Sequence, residues 1–163
     1  MKKKFLSAIF MLCLGLTSFA QDAAFPDMAV PDLRGNKVDV KALSTEGQPV
    51  VLAFWATWCG PCLLELNAIN DKIQDWSIET NFKFYAVSVD DSKTVGRVQP
   101  KVNGSGWEFD ILLDTNNELK RQLNFSTPPY TVIVKDGMIV YKHVGYQPGA
   151  EDELFEKIKE FSN

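Results

Sequence analysis

One histidine and three cysteines are all that 163 residues offer as nitrogen or sulfur metal ligands. Cys13 stands far from Cys59 and Cys62, and His143 stands alone, so the usual four-ligand set of a zinc site cannot be assembled. No metal and no cofactor is expected. Long apolar runs are also missing: the most apolar stretch near the start, Phe5 to Leu16, falls well short of the roughly 20 residues a spanning helix needs. Basic residues are outnumbered, 17 against 21 acids, for a formal net charge of −4, which argues against nucleic acid as a partner. There are no internal repeats and no low-complexity tracts.

What is present falls into two unlike parts. Lys2, Lys3 and Lys4 precede the apolar stretch, and Ser18-Phe19-Ala20 forms a small-x-small site before Gln21, the pattern of a cleaved secretory signal. Residues 1–20 are therefore read as a signal peptide and 21–163 as one domain. Those 143 residues suffice for one α/β domain with a sizeable core and leave no room for a second. Losing three lysines and no acid takes the net charge to −7. Cys13 follows bulky Met11 and Leu12, not the small residues of a lipid-attachment site, and is read as lost with the leader. The chain is thus expected outside the cytoplasm, in a periplasm or cell envelope, with anchoring through an uncleaved leader as the alternative. A stray thiol is a liability in an oxidising compartment, and the remaining chain keeps only one pair.

That pair ends the most informative stretch. Val50 to Ala56 is β-branched and aromatic with almost no polar interruption, which reads as a strand buried on both faces. Trp58-Cys59-Gly60-Pro61-Cys62 comes next. Pro61 suits the first turn of a helix, where its fixed φ helps and its missing N–H costs little. Both thiols then fall at a helix N-terminus, where a Cys-x-x-Cys thiolate is favoured and its pKa falls from about 8.5 toward as low as about 3.5. Cys59 is the expected exposed nucleophile and Cys62, about one turn inward, the resolving thiol. A purely structural disulfide is the weaker reading, since so short a loop closes little chain entropy.

The same residues resemble the active site of the thioredoxin superfamily. The longer text from Pro49 to Leu66 is similar to exported TlpA/ResA-like thiol-disulfide oxidoreductases, over nearly all of the chain after the leader. The resemblance implies an α/β thioredoxin-like fold: a central mixed sheet flanked by helices, with an N-terminal β-hairpin and a central insertion. It implies a reductase of exported protein disulfides, apocytochrome c among the candidate substrates, fed by a membrane electron donor. Protein disulfides or dithiols are the partners, and the chain is expected to act as a monomer. An oxidase or isomerase of the same fold, or a redox-inert binding module, are the rival readings. A peroxidase of related fold is disfavoured, because its motif surrounds a single cysteine.

The rest of the chain fits that order. Pro26, Pro31 and Gly35-Asn36 punctuate a hairpin or edge strands. After Cys62, Leu63, Leu66, Ile69, Ile73 and Trp76 recur at helical spacing as one buried face. Phe82 to Val89 reads as the next strand, and Asp90-Asp91-Ser92 as a cap for the segment after it. Residues 93–108, broken by Gly96, Pro100, Gly104 and Gly106, read only as a connection to a strand from Phe109 to Leu113. A helix from about Asn116 to Leu123 succeeds it, then strands Tyr130 to Lys135 and Met138 to His143 joined by Asp136-Gly137, a strong hairpin signal. Leu154, Ile158 and Phe161 line a last helix.

Further site residues come from the resemblance. Pro129 matches the cis-proline that packs beside the cysteines in the family, and Pro128, before it, departs from the pattern by offering no N–H to a bound substrate strand. Glu65 matches the glutamate thought to carry protons for the dithiol, and a carboxyl under apolar cover has a raised pKa. Ala53 stands where thioredoxin has a buried aspartate, which leaves the proton work to Glu65. Trp58, Gly60, Pro61 and Pro128 are the expected substrate-contacting residues. His143 is read as a surface residue.

Overall fold

The computed structural model describes residues 23–162; the expected signal peptide, residues 1–20 with Cys13, lies outside the described residues. The chain begins with β1 (Ala23–Ala24), a hairpin of β2 (Ala29–Pro31) and β3 (Lys37–Asp39), and a short helix α1 (Val40–Ser44). Then come β4 (Val50–Trp55), α2 (Gly60–Asn70), α3 (Ile73–Glu79) and β5 (Lys83–Ser88). A 3-10 turn leads into α4 (Val98–Ser105), followed by β6 (Asp110–Leu113), α5 (Glu118–Gln122), β7 (Tyr130–Lys135), β8 (Met138–Val144) and α6 (Ala150–Ser162).

Six strands form one mixed sheet in the order β1-β8-β7-β4-β5-β6, while β2 and β3 pair separately. β4 is parallel to β5, and β5 to β6, whereas β7 is antiparallel to β4 and to β8. Every residue of β4 is buried, as its unbroken apolar run requires of a central strand with both faces covered. Side chains alternate between those faces. Trp55 lies edge-on to Trp107, 4.9 Å between centroids, and the Trp107 indole donates to Asn67 Oδ1 on α2 at 2.8 Å. On the opposite face Phe54 packs with Phe125 and Tyr130. α6 is held to the same side as α2 by Trp76 stacked on Phe155 at 4.8 Å and by Lys72, which pairs with Glu151 and Asp152. The β7–β8 turn has Asp136 at φ 51° and Gly137 at φ 74°, the two positive values of the tight hairpin that Asp-Gly favours.

Four expectations need correction. The single helix after Cys62 is two, because the chain turns at Asp71 and Lys72, with Lys72 N–H donating to the Ile69 carbonyl; Ile73 and Trp76 remain buried. The stretch 93–108 holds a real helix: Pro100 is its third residue, where an amide has no helical partner to lose, and Gly106 closes it in the left-handed conformation, φ 65°. β1 and α1 had too few residues to show a period. Asp90 does not cap the next segment; Asp91 alone holds that turn, accepting from Lys93 N–H, and Asp90 is buried for another purpose.

Candidate active site

The end of β4 and the start of α2 place the two cysteines. Cys59 is the N-cap residue of α2, with extended backbone, and its Sγ accepts the Cys62 N–H at 3.3 Å. Pro61 sits in the first turn, so the amides nearest the sulfurs have no helical acceptor and favour negative charge there. Cys59 and Cys62 are joined by a disulfide. Cys59 is 6% exposed and Cys62 fully buried. The expected exposed nucleophile is therefore nearly covered in this oxidised form, because the bond to Cys62 and the amide contact draw its sulfur inward, although it remains the more accessible of the two. Around it Gly60 and Pro61 are exposed, Trp58 is 57% exposed and Leu64 61%. These form an apolar rim beside the disulfide.

Glu65 lies one helical turn beyond Cys62 on α2 and is 5% exposed. Its Oε1 accepts the Thr131 hydroxyl at 3.1 Å from β7. Thr131 is the cross-strand partner of Ala53, so the two side chains share the sheet face under α2. The carboxyl that an acid at 53 would bring from the strand comes from the helix. Burial raises the Glu65 pKa to about 7; the Thr131 hydrogen bond works against that rise and the negative charge of Glu151 adds to it. At neutrality this group can take or give a proton.

The Pro128–Pro129 peptide is cis, and the Pro129 carbonyl accepts the Gly145 N–H at 2.9 Å, which ties this loop to the end of β8. Pro128 and Pro129 are both buried, so Pro128 does not present its ring on the rim with Trp58. His143 is half-buried, opposite Thr131 on β8 and on the face that Thr131 occupies. It lines an open groove of about 470 Å³ with Tyr146 and Glu153 at the start of α6.

Asp90, fully buried, was not among the expected site residues. Its carboxylate accepts the Thr57 N–H at 2.8 Å, the Thr57 hydroxyl at 2.6 Å and the Ser88 hydroxyl at 2.9 Å. It thereby clamps the loop two residues before Cys59. The polar Ser88 and Asp90 at the end of an otherwise apolar strand were the only local signal of it. Among the described residues no cluster of His, Cys, Asp and Glu could hold a metal ion, and no helix is long and apolar enough to cross a membrane.

The model of the AhpC/TSA family matches residues 22–143. The chain is 29% identical over 123 residues to the thiol-disulfide oxidoreductase ResA of Bacillus anthracis, an alignment covering 75% of this chain and 68% of that protein. The solution structure of an uncharacterized thioredoxin-like protein from Porphyromonas gingivalis superposes with a TM-score of 0.72 at 39% identity, covering 87% of this chain and 94% of that one. The crystal structure of a putative thiol:disulfide interchange protein DsbE from Chlorobium tepidum gives a TM-score of 0.76 at 24% identity, covering 90% and 100%. The mixed sheet with its flanking helices is thus a thioredoxin-like fold.

Proposed function

The chain belongs to the AhpC/TSA family, and from that premise we propose that it works as an exported thiol-disulfide oxidoreductase that reduces the disulfides of exported proteins, apocytochrome c among them. The observation that carries the reading is the joining of Cys59 and Cys62 at the N-cap of α2, one helical turn before a buried carboxyl whose pKa is raised to about 7. In the reduced protein the Cys59 thiolate attacks one sulfur of the substrate disulfide, forming a mixed disulfide and releasing the first substrate thiolate. Glu65 takes the proton of the Cys62 thiol. The Cys62 thiolate then attacks Cys59 Sγ, breaks the mixed disulfide and releases the second substrate thiolate. Two electrons pass to the substrate and the Cys59–Cys62 bond is made. An external dithiol, supplied by a membrane electron donor, reverses that last step.

The apolar rim of Trp58, Gly60 and Pro61 supports docking of a polypeptide segment, and the cis-Pro129 loop beside it would align that segment. With both prolines buried and no N–H on Pro128, the strand-like pairing there has one donor fewer. The basic and apolar leader pattern supports export. The Gly60-Pro61 dipeptide supports the reducing direction.

Two measurements test the reading. Replacing Cys59→Ser should abolish reduction of insulin disulfides; retained activity would refute the assignment. The equilibrium potential of the pair in defined thiol buffers at pH 7 should lie near the roughly −270 mV of thioredoxin, whereas a value near the roughly −120 mV of DsbA would make the protein an oxidase.

A further inference from the structure

Between the end of β4 at Trp55 and the first sulfur at Cys59 the chain runs through Ala56, Thr57 and Trp58. Val89 N–H, just past β5, donates to the Trp55 carbonyl at 2.8 Å and ties the two strand ends together. From there toward the dithiol the tie is made by a side chain. Asp90 Oδ2 accepts the Thr57 N–H at 2.8 Å and the Ser88 hydroxyl at 2.9 Å, and Oδ1 accepts the Thr57 hydroxyl at 2.6 Å. Asp90 is fully buried, and a buried carboxylate is costly unless its oxygens are hydrogen-bonded. Two acceptor oxygens on one planar group can take all three donors at once, which a single hydroxyl or an apolar side chain cannot.

What Asp90 grips is a tight turn. Cys59 N–H donates to the Ala56 carbonyl at 3.0 Å, which makes Thr57 and Trp58 the two central residues. One of them is held by amide and hydroxyl, while the other, Trp58, projects 57% exposed onto the rim. The turn ends on Cys59, the N-cap residue whose Sγ accepts the Cys62 N–H at 3.3 Å.

We propose that Asp90 is a positioning residue for the Cys59 nucleophile: its grip on Thr57 keeps the Ala56-to-Cys59 turn closed once the disulfide is reduced. The inference rests on Cys59 serving as the attacking thiol. In the oxidised form the bond to Cys62 fixes the Cys59 sulfur. Reduction removes that restraint, and the turn alone must keep the sulfur against the start of α2, where amides without helical acceptors favour the thiolate. A turn free to open would leave Cys59 in water part of the time, and its proton affinity would drift toward that of an ordinary thiol, about 8.5.

The test is the pH midpoint of iodoacetamide alkylation of Cys59 in the reduced full-length protein, with peptide mapping to assign the modified cysteine. Asp90→Ala and Asp90→Asn both remove the charge, but only asparagine keeps the ties: its oxygen can accept from Thr57 N–H and Ser88, and its amide can donate to the Thr57 hydroxyl. The alanine midpoint should lie above the asparagine midpoint by about half a pH unit or more, roughly threefold in proton affinity. Thr57→Val should lie above Thr57→Ser in the same sense, and this pair decides alone if Asp90→Ala does not fold. Each pair compares chains of equal charge. Glu65 on α2, Asp91 beside Asp90, and Asp114, whose N–H meets the Ser88 carbonyl, therefore act equally on both members. A merely structural clamp would lower the urea midpoint of Asp90→Ala and leave its alkylation midpoint level with that of Asp90→Asn, which overturns the proposal. A fall of both Asp90 variants below the wild type with no gap between them would mean that the aspartate acts through its charge, and overturns it too. Insulin reduction retained in Cys59→Ser refutes the functional reading itself; loss of reduction there together with level midpoints refutes the positioning role alone.

Discussion

Replacing Glu65 by glutamine should stabilise the protein at pH 8 while leaving it nearly unchanged at pH 4.5. The folded state holds the Glu65 proton with a pKa near 7, against 4.5 for an unhindered glutamate, because burial disfavours the carboxylate. Below pH 4.5 both states are protonated and the group contributes its full stability. Between pH 4.5 and 7 the unfolded chain has released the proton and the folded chain has not, so stability falls as pH rises. At about 1.36 kcal/mol per pH unit, the gap from 4.5 to about 7 amounts to about 3 kcal/mol, fully lost above the folded pKa. The glutamine side chain has the shape of the protonated acid, keeps an acceptor for the Thr131 hydroxyl and has no charge to bury. The assay is urea unfolding of the disulfide-bonded protein across pH 4.5 to 8.5 for both chains. With a urea slope of about 2 kcal/mol/M, the wild-type midpoint should fall behind the variant's by about 1.5 M at the alkaline end. Other titrating groups, Asp114 with its burial-raised pKa included, are common to both chains and cancel in the difference. Parallel curves would refute the reasoning, since they would mean that Glu65 is ionised in the folded protein at no cost. The same variant should be slow in disulfide reduction, so the site would hold its proton carrier at the expense of stability.

Three further perturbations probe the frame that holds the site. Asp90→Ala leaves the Thr57 amide, the Thr57 hydroxyl and the Ser88 hydroxyl without their acceptor and should cost about 3 kcal/mol in urea unfolding; Thr57→Val, which removes one donor, should cost about 1, and equal costs would contradict the clamp. Phe155→Ala removes the ring stacked 4.8 Å from Trp76 and should lower stability by about 3 kcal/mol, measured on the oxidised protein. Gly137→Ala forces an alanine to φ 74° and should cost about 1 kcal/mol; its Cβ would meet only Lys41 side-chain carbons at 3.6 Å, so Gly137→Asn, which tolerates that backbone better, should cost less.

The parts of this protein that were legible in the sequence are those written in contiguous residues. The run Val50 to Ala56 had no polar face to expose, so it had to be a central strand. Cys59 to Cys62 sat at a strand-to-helix junction whose Pro61 announced the helix start, and Asp136-Gly137 could hardly be anything but a tight hairpin. Glu65 could be placed one turn from Cys62 by helical spacing alone. Where the local signal was mixed, packing decided. Pro100 was read as a breaker because its place in the first turn of α4 depends on where that helix begins, and the turn at Asp71 and Lys72 carries no proline or glycine to mark it.

What turns a pair of thiols into a tuned site joins residues far apart in the chain, and that was beyond the sequence by itself. Asp90 reaches Thr57 across 33 positions, and Thr131 reaches Glu65 across 66. Each contact exists only because β5 and β7 flank β4 in the sheet. The sequence alone placed the Cys59–Cys62 pair at a strand-to-helix junction, because a strand, a helix start and a Cys-x-x-Cys spacing are local. Tertiary structure decided how strongly Glu65 holds its proton, because that depends on burial and on charges brought in from distant segments.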